Sequence, residues 1–312
     1  MSSERNPALM REGQTFAGGS LLSKYASFVK LPHTLFALPF AGVGALLASY
    51  THAHRVQPIS ILWIVIAFTA ARFAAMGFNR IVDRAHDARN PRTQMRELPA
   101  GKLTVKQAVT AVVVASLLFV ASAWQLNELC GWLAPVALAW IFFYSYTKRF
   151  TNLSHIVLGI SLGIAPVGAY LAITGEWSQP WWALPVLAAA VMLWVAGFDI
   201  VYAIQDIEFD RAHKLHSLPA RLGVQRSLLL ARGLHMASVA TFLAILIFQI
   251  FPVGWFYAIA VGFMGGLLMY EHLVVSGGKL DLPRIDRAFF KVNVIVSTSF
   301  FVLTLLDRLL LG

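Results

Sequence analysis

The sequence predicts an all-α, multi-span transmembrane bundle, and three observations carry that reading. Hydrophobic residues make up 58% of the 312-residue chain and charged residues only 13%, against roughly 45–50% and 25% in soluble domains. The apolar residues gather into nine stretches, each close to the ~20 residues a helix needs to cross ~30 Å of hydrocarbon. None alternates polar and apolar residues as a membrane β-strand does. A soluble domain and a disordered chain are therefore excluded, and the single cysteine, Cys130, excludes an intramolecular disulfide framework.

The stretches cover 32–50, 58–78, 105–125, 131–147, 154–173, 182–204, 227–250, 253–275 and 288–309. Pro58 opens the second, where a helix start loses no hydrogen bond to proline. Gly131 starts the fourth, Gly175 to Pro180 separates the fifth from the sixth, and Phe251-Pro252 separates the seventh from the eighth. Residues 1–30 read as a polar N-terminal segment without the apolar core and cleavage site of a signal peptide, and 31–312 as one transmembrane domain. Of the 25 Lys and Arg residues, all but Arg55, Arg72, Arg232 and Arg308 lie before the first stretch or around the loops that follow even-numbered ones. By the positive-inside rule, the N-terminus and those loops face the cytoplasm. The same asymmetry accounts for the net charge of +10. No basic run is interleaved with aromatics, so a lipid bilayer and not a nucleic acid is the expected partner.

The rare acids cluster at the ends of two stretches. Asn79-Arg-Ile-Val-Asp83-Arg-Ala-His-Asp87 closes the second, and Asp199-Ile-Val-Tyr202-Ala-Ile-Gln-Asp206-Ile-Glu-Phe-Asp210 closes the sixth. Oxygen-bearing side chains recur every four residues, which stacks them on one helical face. Neighbouring carboxylates repel, and more so where the dielectric falls. A hard cation offsets that cost, because carboxylate and amide oxygens without Cys or clustered His select Mg²⁺. The alternative is a solvated loop whose acids pair with Arg84, Arg89 or Arg211. Four stretches separate the two motifs, which suggests two four-helix halves plus a ninth helix.

On these residues the chain resembles the UbiA superfamily of intramembrane aromatic prenyltransferases, whose N-x-x-x-D-x-x-x-D and D-x-x-Y-x-x-x-D-x-x-x-D motifs match Asn79/Asp83/Asp87 and Asp199/Tyr202/Asp206/Asp210. The resemblance extends from Leu31-Pro-His-Thr through the nine stretches. Tyr144-Ser-Tyr-Thr-Lys148-Arg149 is similar to the family's Y-x-x-x-K element, with interfacial aromatics and topology charges as the structural alternative. Asp87-Ala-Arg-Asn-Pro-Arg-Thr93, Arg96-Glu-Leu-Pro-Ala-Gly101 and the segment after Asp210 resemble 4-hydroxybenzoate polyprenyltransferase-like enzymes, including the futalosine-route menaquinone branch. The first of these loops departs from the R-P-L-x-x-G of ubiquinone-type enzymes.

The resemblance implies Mg²⁺-assisted transfer of a polyprenyl group from polyprenyl diphosphate to an aromatic acid. Asn79, Asp83 and Asp87 would hold one ion, and Asp206 and Asp210 a second. Lys148, Tyr144 and Arg149 would contact the diphosphate. Asp199, two helical turns before Asp206, would orient the acceptor or take a proton, with a charge pair or a bond to Tyr202 as the alternative. The prenyl tail would leave sideways into lipid. His86, His213 and His216 are expected in loop or packing roles, Glu97 beside Arg96, and Glu271 at the interface. A transporter would need ionisable groups along the midplane, where the stretches look nearly bare.

Overall fold

The computed structural model describes residues 20–30, 34–51, 56–276, 285 and 288–311. Most of the polar N-terminal segment, His33 and the basic residues Arg5, Arg11, Arg55, Lys279, Arg284 and Arg287 lie outside the described residues.

A short helix α1 (Leu21–Phe28) precedes the long ones: α2 (Thr34–Thr51), α3 (Pro58–Asp87), α4 (Val105–Leu126), α5 (Glu128–Thr147), α6 (Ser154–Thr174) and α7 (Ala183–Ala203). Two short helices, α8 (Ile207–Ala212) and α9 (Leu218–Leu222), lead into α10 (Val224–Ile247), α11 (Trp255–Ser276) and α12 (Asn293–Leu311). Among the described residues eight helices are long and apolar enough to cross a membrane, and α2 contributes the shorter apolar run Ala37–Ser49. The chain is thus an integral multi-pass membrane protein, all-helical as the sequence predicts. Helices α2 to α5 and then α6, α7, α10 and α11 make the two halves, and α12 closes the ring between α11 and α2.

Sequence fixes the helix ends locally. Thr104 and Gln107 form a reciprocal capping box at α4. Asn127 caps α5 by accepting from the Cys130 backbone N–H, and its amide donates to the Leu171 carbonyl, tying α5 to the far end of α6. Gly175, with φ 71°, ends α6 in the left-handed conformation that favours glycine. The Asp307 carboxylate of α12 accepts from the backbone N–H groups of Gly254 and Phe256, satisfying the open N-terminus of α11.

Two features set the bundle in lipid. Large apolar side chains such as Leu117, Leu229 and Met236 face outward. Trp124, Trp132, Trp177, Trp181, Trp182 and Trp255 are exposed at the end opposite the acidic motifs, where aromatic rings suit a membrane interface. Inside, Phe40, Trp194, Phe242 and Phe300 pack together across α2, α7, α10 and α12. The mid-span regions are less bare than the sequence suggested. Glu271 and His235 are fully enclosed in α11 and α10, with His272 beside them, so Glu271 is interior and not interfacial.

Glycines recurring along α6 and α11 are of two kinds. A Cβ on Gly159 would stand 2.5 Å from the Met192 carbonyl oxygen, and one on Gly163 would stand 2.7 Å from that of Ala188, so α6 and α7 touch backbone to backbone. Gly262 and Gly266 meet nothing within 4 Å. Gly159→Ala and Gly163→Ala should each cost about 1–3 kcal/mol by forcing the pair apart, read as a lower unfolding midpoint in detergent. Gly262→Ala is the control, and its midpoint should not fall.

Candidate active site

Helix α3 does not stop at residue 78 but continues to Asp87, carrying the first motif as one unbroken helix. The second motif is not a continuous ladder. A 3-10 turn over Ile204–Asp206 separates α7 from α8, so Asp199 and Tyr202 are not in one regular helical register with Asp206 and Asp210. The two motifs nevertheless meet: Asn79, Asp83, Asp87, Asp199, Asp206 and Asp210 line a common cavity of about 670 Å³ with Tyr144 and Lys148. Arg149 is not in its wall. Its guanidinium donates to the Val82 carbonyl at 2.9 Å, lies over the Tyr146 ring and stands 3.5 Å from Asp83 Oδ1, so it backs the site from behind that carboxylate.

Each acid has a partner, though not those the sequence suggested. Asp83, 2% exposed, takes the Lys148 ammonium at 2.9 Å and the Asn79 amide at 3.2 Å. Asp87 takes Arg96 at 2.7 Å. Arg92 grips Asp206 with two nitrogens, at 3.1 and 2.7 Å, and its third donates to the Tyr202 hydroxyl. Asn90 adds a bond to Asp206 at 3.2 Å, and the same Asn90 side chain accepts from the Arg92 backbone N–H, shaping the loop that presents the arginine. Ser217, the N-cap of α9, donates to Asp210 at 2.8 Å. Burial works against the charge of Lys148, but Asp83 at contact, with Asp87 and Asp210 behind, outweighs it and raises the pKa of the ammonium above its ordinary value. Glu97, expected beside Arg96, faces Arg80 at 3.7 Å and accepts from the Ser27 hydroxyl at 2.7 Å.

Asp199 sits one layer deeper. The imidazole Nδ1 of His155, second residue of α6, lies 2.6 Å from its Oδ2, so a basic side chain does pair with it, as the sequence alternative allowed. Deeper still along α3, Arg72 lines the cavity about 10 Å below Asn79, at 1.5 Å per residue. Below these groups the wall turns apolar through Phe119, Leu133, Trp140, Leu162 and Ala165. Val136 both lines the cavity and is 65% exposed on the outer surface of α5, which marks a sideways opening toward lipid.

The donor set suits a hard divalent cation. Asp83 Oδ1 and Asp87 Oδ2 are buried and accept no hydrogen bond, Asp83 Oδ1 having only the Arg149 guanidinium at 3.5 Å, so both have room to join a cation. Among the described residues no three His, Cys, Asp or Glu side chains converge into a closed cage. Two carboxylates from each motif, with open positions left over, fit Mg²⁺, which keeps waters and shares its shell with phosphate oxygens. His86 lines the same cavity, whereas His213 stacks on Phe209. Arg92, Arg96, Arg72 and His155 are the site groups that sequence reasoning passed over.

The fold and site define an intramembrane helical enzyme class built around facing acidic helix ends. The profile of the UbiA prenyltransferase family matches residues 37–295, and the chain belongs to that family. It is 29% identical over 280 residues to the 4-hydroxybenzoate solanesyltransferase of Synechocystis sp., covering 86% of this chain and 89% of that protein. It is 30% identical over 234 residues to the 4-hydroxybenzoate octaprenyltransferase of Citrobacter koseri, covering 74% and 77%. The apo structure of a UbiA homologue from Aeropyrum pernix superposes with a TM-score of 0.79 at 32% identity, over 88% of this chain and 98% of that one. A UbiA homologue from Archaeoglobus fulgidus, solved with DMAPP and Mg²⁺, shares the fold with a TM-score of 0.70 at 20% identity, over 92% and 99%.

Proposed function

We propose that this protein transfers a polyprenyl group from polyprenyl diphosphate to an aromatic acid precursor of a quinone, of the 4-hydroxybenzoate type. The observation that supports it most directly is the convergence of both acidic motifs with Lys148, Arg92 and Arg96 at one mouth of a cavity whose far part is apolar and open to lipid. The relatives named for 4-hydroxybenzoate polyprenyl transfer point the same way.

Asn79, Asp83 and Asp87 on one side and Asp206 and Asp210 on the other would hold magnesium, which when bound would neutralise charge on the departing diphosphate. Lys148, Arg92 and Arg96 line the same mouth and hold the leaving group once it competes for their carboxylates. Tyr144, between them and Asp199, supplies a hydroxyl on the boundary of the two chambers. The apolar wall excludes water, so the allylic cation meets the aromatic ring before it meets hydroxide. Arg72, carried inside a spanning helix, offers a positive charge deep in the cavity for the acceptor's carboxylate. Asp199 faces the ring hydroxyl and takes its proton. The cytoplasmic side is assigned to the acidic end by the distribution of Lys and Arg.

The departure of the 87–93 loop from the ubiquinone-type pattern favours a second acceptor, 1,4-dihydroxy-6-naphthoate. Arg92 of that loop reaches the cavity, so the departure falls on the site itself. Purified enzyme with labelled polyprenyl diphosphate, Mg²⁺ and each acceptor in turn tests both. Prenylated product from one of them, abolished by EDTA and restored by Mg²⁺, is the expected result. Product from neither defeats the proposal.

A further inference from the structure

His155 and Asp199 come from different helices, α6 and α7, and meet at 2.6 Å between Nδ1 and Oδ2. The imidazole is 4% exposed and the carboxylate 18%, and both residues line the cavity. The second ring nitrogen, Nε2, is buried and makes no hydrogen bond. The imidazole therefore spends its one polar contact on Asp199 and has no other partner to turn toward. Asp199 in turn commits Oδ2 to the imidazole, and its remaining exposed edge is Oδ1. A carboxylate inside a spanning helix is expensive and seeks a partner, yet a flexible Lys or Arg would let it swing. A flat ring enclosed by protein fixes it.

Resting on the reading above, we propose that His155 is a positioning residue for the prenyl transfer, holding Asp199 so that Oδ1 meets the ring hydroxyl of the aromatic acceptor. As the carbon ortho to that hydroxyl bonds to the allylic C1, the C1–O bond breaks and the diphosphate leaves with its electron pair. The hydroxyl proton passes to Oδ1. The resulting cyclohexadienone loses its ring proton to the diphosphate and retakes the Asp199 proton on oxygen, which restores the phenol and the carboxylate. The imidazole fixes the direction of both transfers without contacting the substrate. Arg72, Tyr144, Ser161 and Tyr202 are among the other polar groups that line the cavity, and Asp210 and Lys148 lie nearer the mouth; the imidazole hydrogen-bonds none of them.

The test compares two acceptors of different acidity on the full-length enzyme with Mg²⁺ and polyprenyl diphosphate. The probes are whichever of 4-hydroxybenzoate and 1,4-dihydroxy-6-naphthoate the wild type prenylates, and its ring-fluorinated analogue, whose hydroxyl parts with its proton more easily. His155→Phe is expected to lower kcat about 10²-fold with the parent acceptor and clearly less with the fluorinated one, while KM for the prenyl diphosphate stays put. His155→Gln, whose amide still donates, should recover part of the loss and keep the same dependence on acceptor acidity. A loss equal for both acceptors, or no loss, overturns the proposal. If the phenylalanine variant fails to fold, the acidity dependence of His155→Gln decides in the same way. Wild-type enzyme that prenylates neither acceptor removes the functional reading and this inference together, whereas wild-type turnover with an unaffected variant removes this inference alone.

Discussion

Asp83→Ala lowers prenyl transfer by about 10³-fold or more at saturating substrates, and Asp206→Ala does the same from the facing motif. The reasoning starts from burial. Asp83 is enclosed at 2% exposure, with Lys148 and Asn79 on one oxygen and, on the other, the Arg149 guanidinium at 3.5 Å but no hydrogen bond. Removing it deletes a ligand oxygen and also leaves the Lys148 ammonium without its anion, in a place where burial disfavours the charge. Asp206 is the anchor for Arg92 and Asn90, so its loss frees the 87–104 loop from α8 as well. A deficit of 10³ corresponds to about 4 kcal/mol of transition-state stabilisation, within what preorganised charge at a reacting centre supplies. Glu208→Ala is the comparison, because that acid belongs to the same short helix but is exposed and should change the rate by less than about threefold. Near-normal turnover by either aspartate variant, measured with labelled diphosphate, contradicts the site. The loss should be accompanied by a rightward shift of the Mg²⁺ titration, which a folding defect alone would not give.

The bundle was legible because its governing physics is one-dimensional. Lipid satisfies no backbone group, so each crossing must be a long apolar helix, and apolar runs are visible in a sequence. The facing acids were legible for a related reason, since a four-residue period on a helix places Asn79, Asp83 and Asp87 on one face whatever surrounds them. What escaped depended on contacts across the bundle. Arg92 and Arg96 look like topology charges in the sequence and do lie in a basic loop, yet they reach back to Asp206 and Asp87. Nothing local distinguishes them from Arg84 or Arg89, the partners sequence spacing suggested. His155 follows Ser154 at the start of a small-residue helix, and only the packing of α6 on α7 gives it Asp199 as a neighbour. The 3-10 turn before α8 was hidden too, because the four-residue period from Tyr202 to Asp206 reads as regular helix. Arg149 takes a place the sequence did not specify. Adjacent to Lys148 in sequence, it points some 100° further round a helical end, over the Tyr146 ring, and reaches Asp83 Oδ1 from outside the cavity wall at 3.5 Å.

Arg92→Met should change two affinities in opposite directions, which makes it the sharper probe of how the site is used. In the structure Arg92 holds Asp206 by a two-pronged bond, the geometry in which guanidinium and carboxylate bind each other best. A divalent cation arriving alone must displace that guanidinium and leave it without an anion. A cation arriving with a diphosphate offers Arg92 a new partner at the moment the old one is taken. Arginine therefore penalises the metal by itself and rewards the pair, a coupling of the size usual between linked sites, about 1–3 kcal/mol. With the side chain cut to methionine, Mn²⁺ titrated alone, followed by its paramagnetic resonance, should bind about tenfold more tightly. Inorganic pyrophosphate added with the metal should bind about tenfold more weakly, and KM for the prenyl diphosphate should rise to match. Removing one member of a largely buried pair also leaves Asp206 uncompensated, so the variant should unfold at a lower temperature than wild type without metal and regain most of the difference when metal is supplied. A metal affinity that is unchanged in the absence of diphosphate would mean that Arg92 and the cation do not compete for Asp206, and the two acidic motifs would then have to bind their ions through a different set of oxygens.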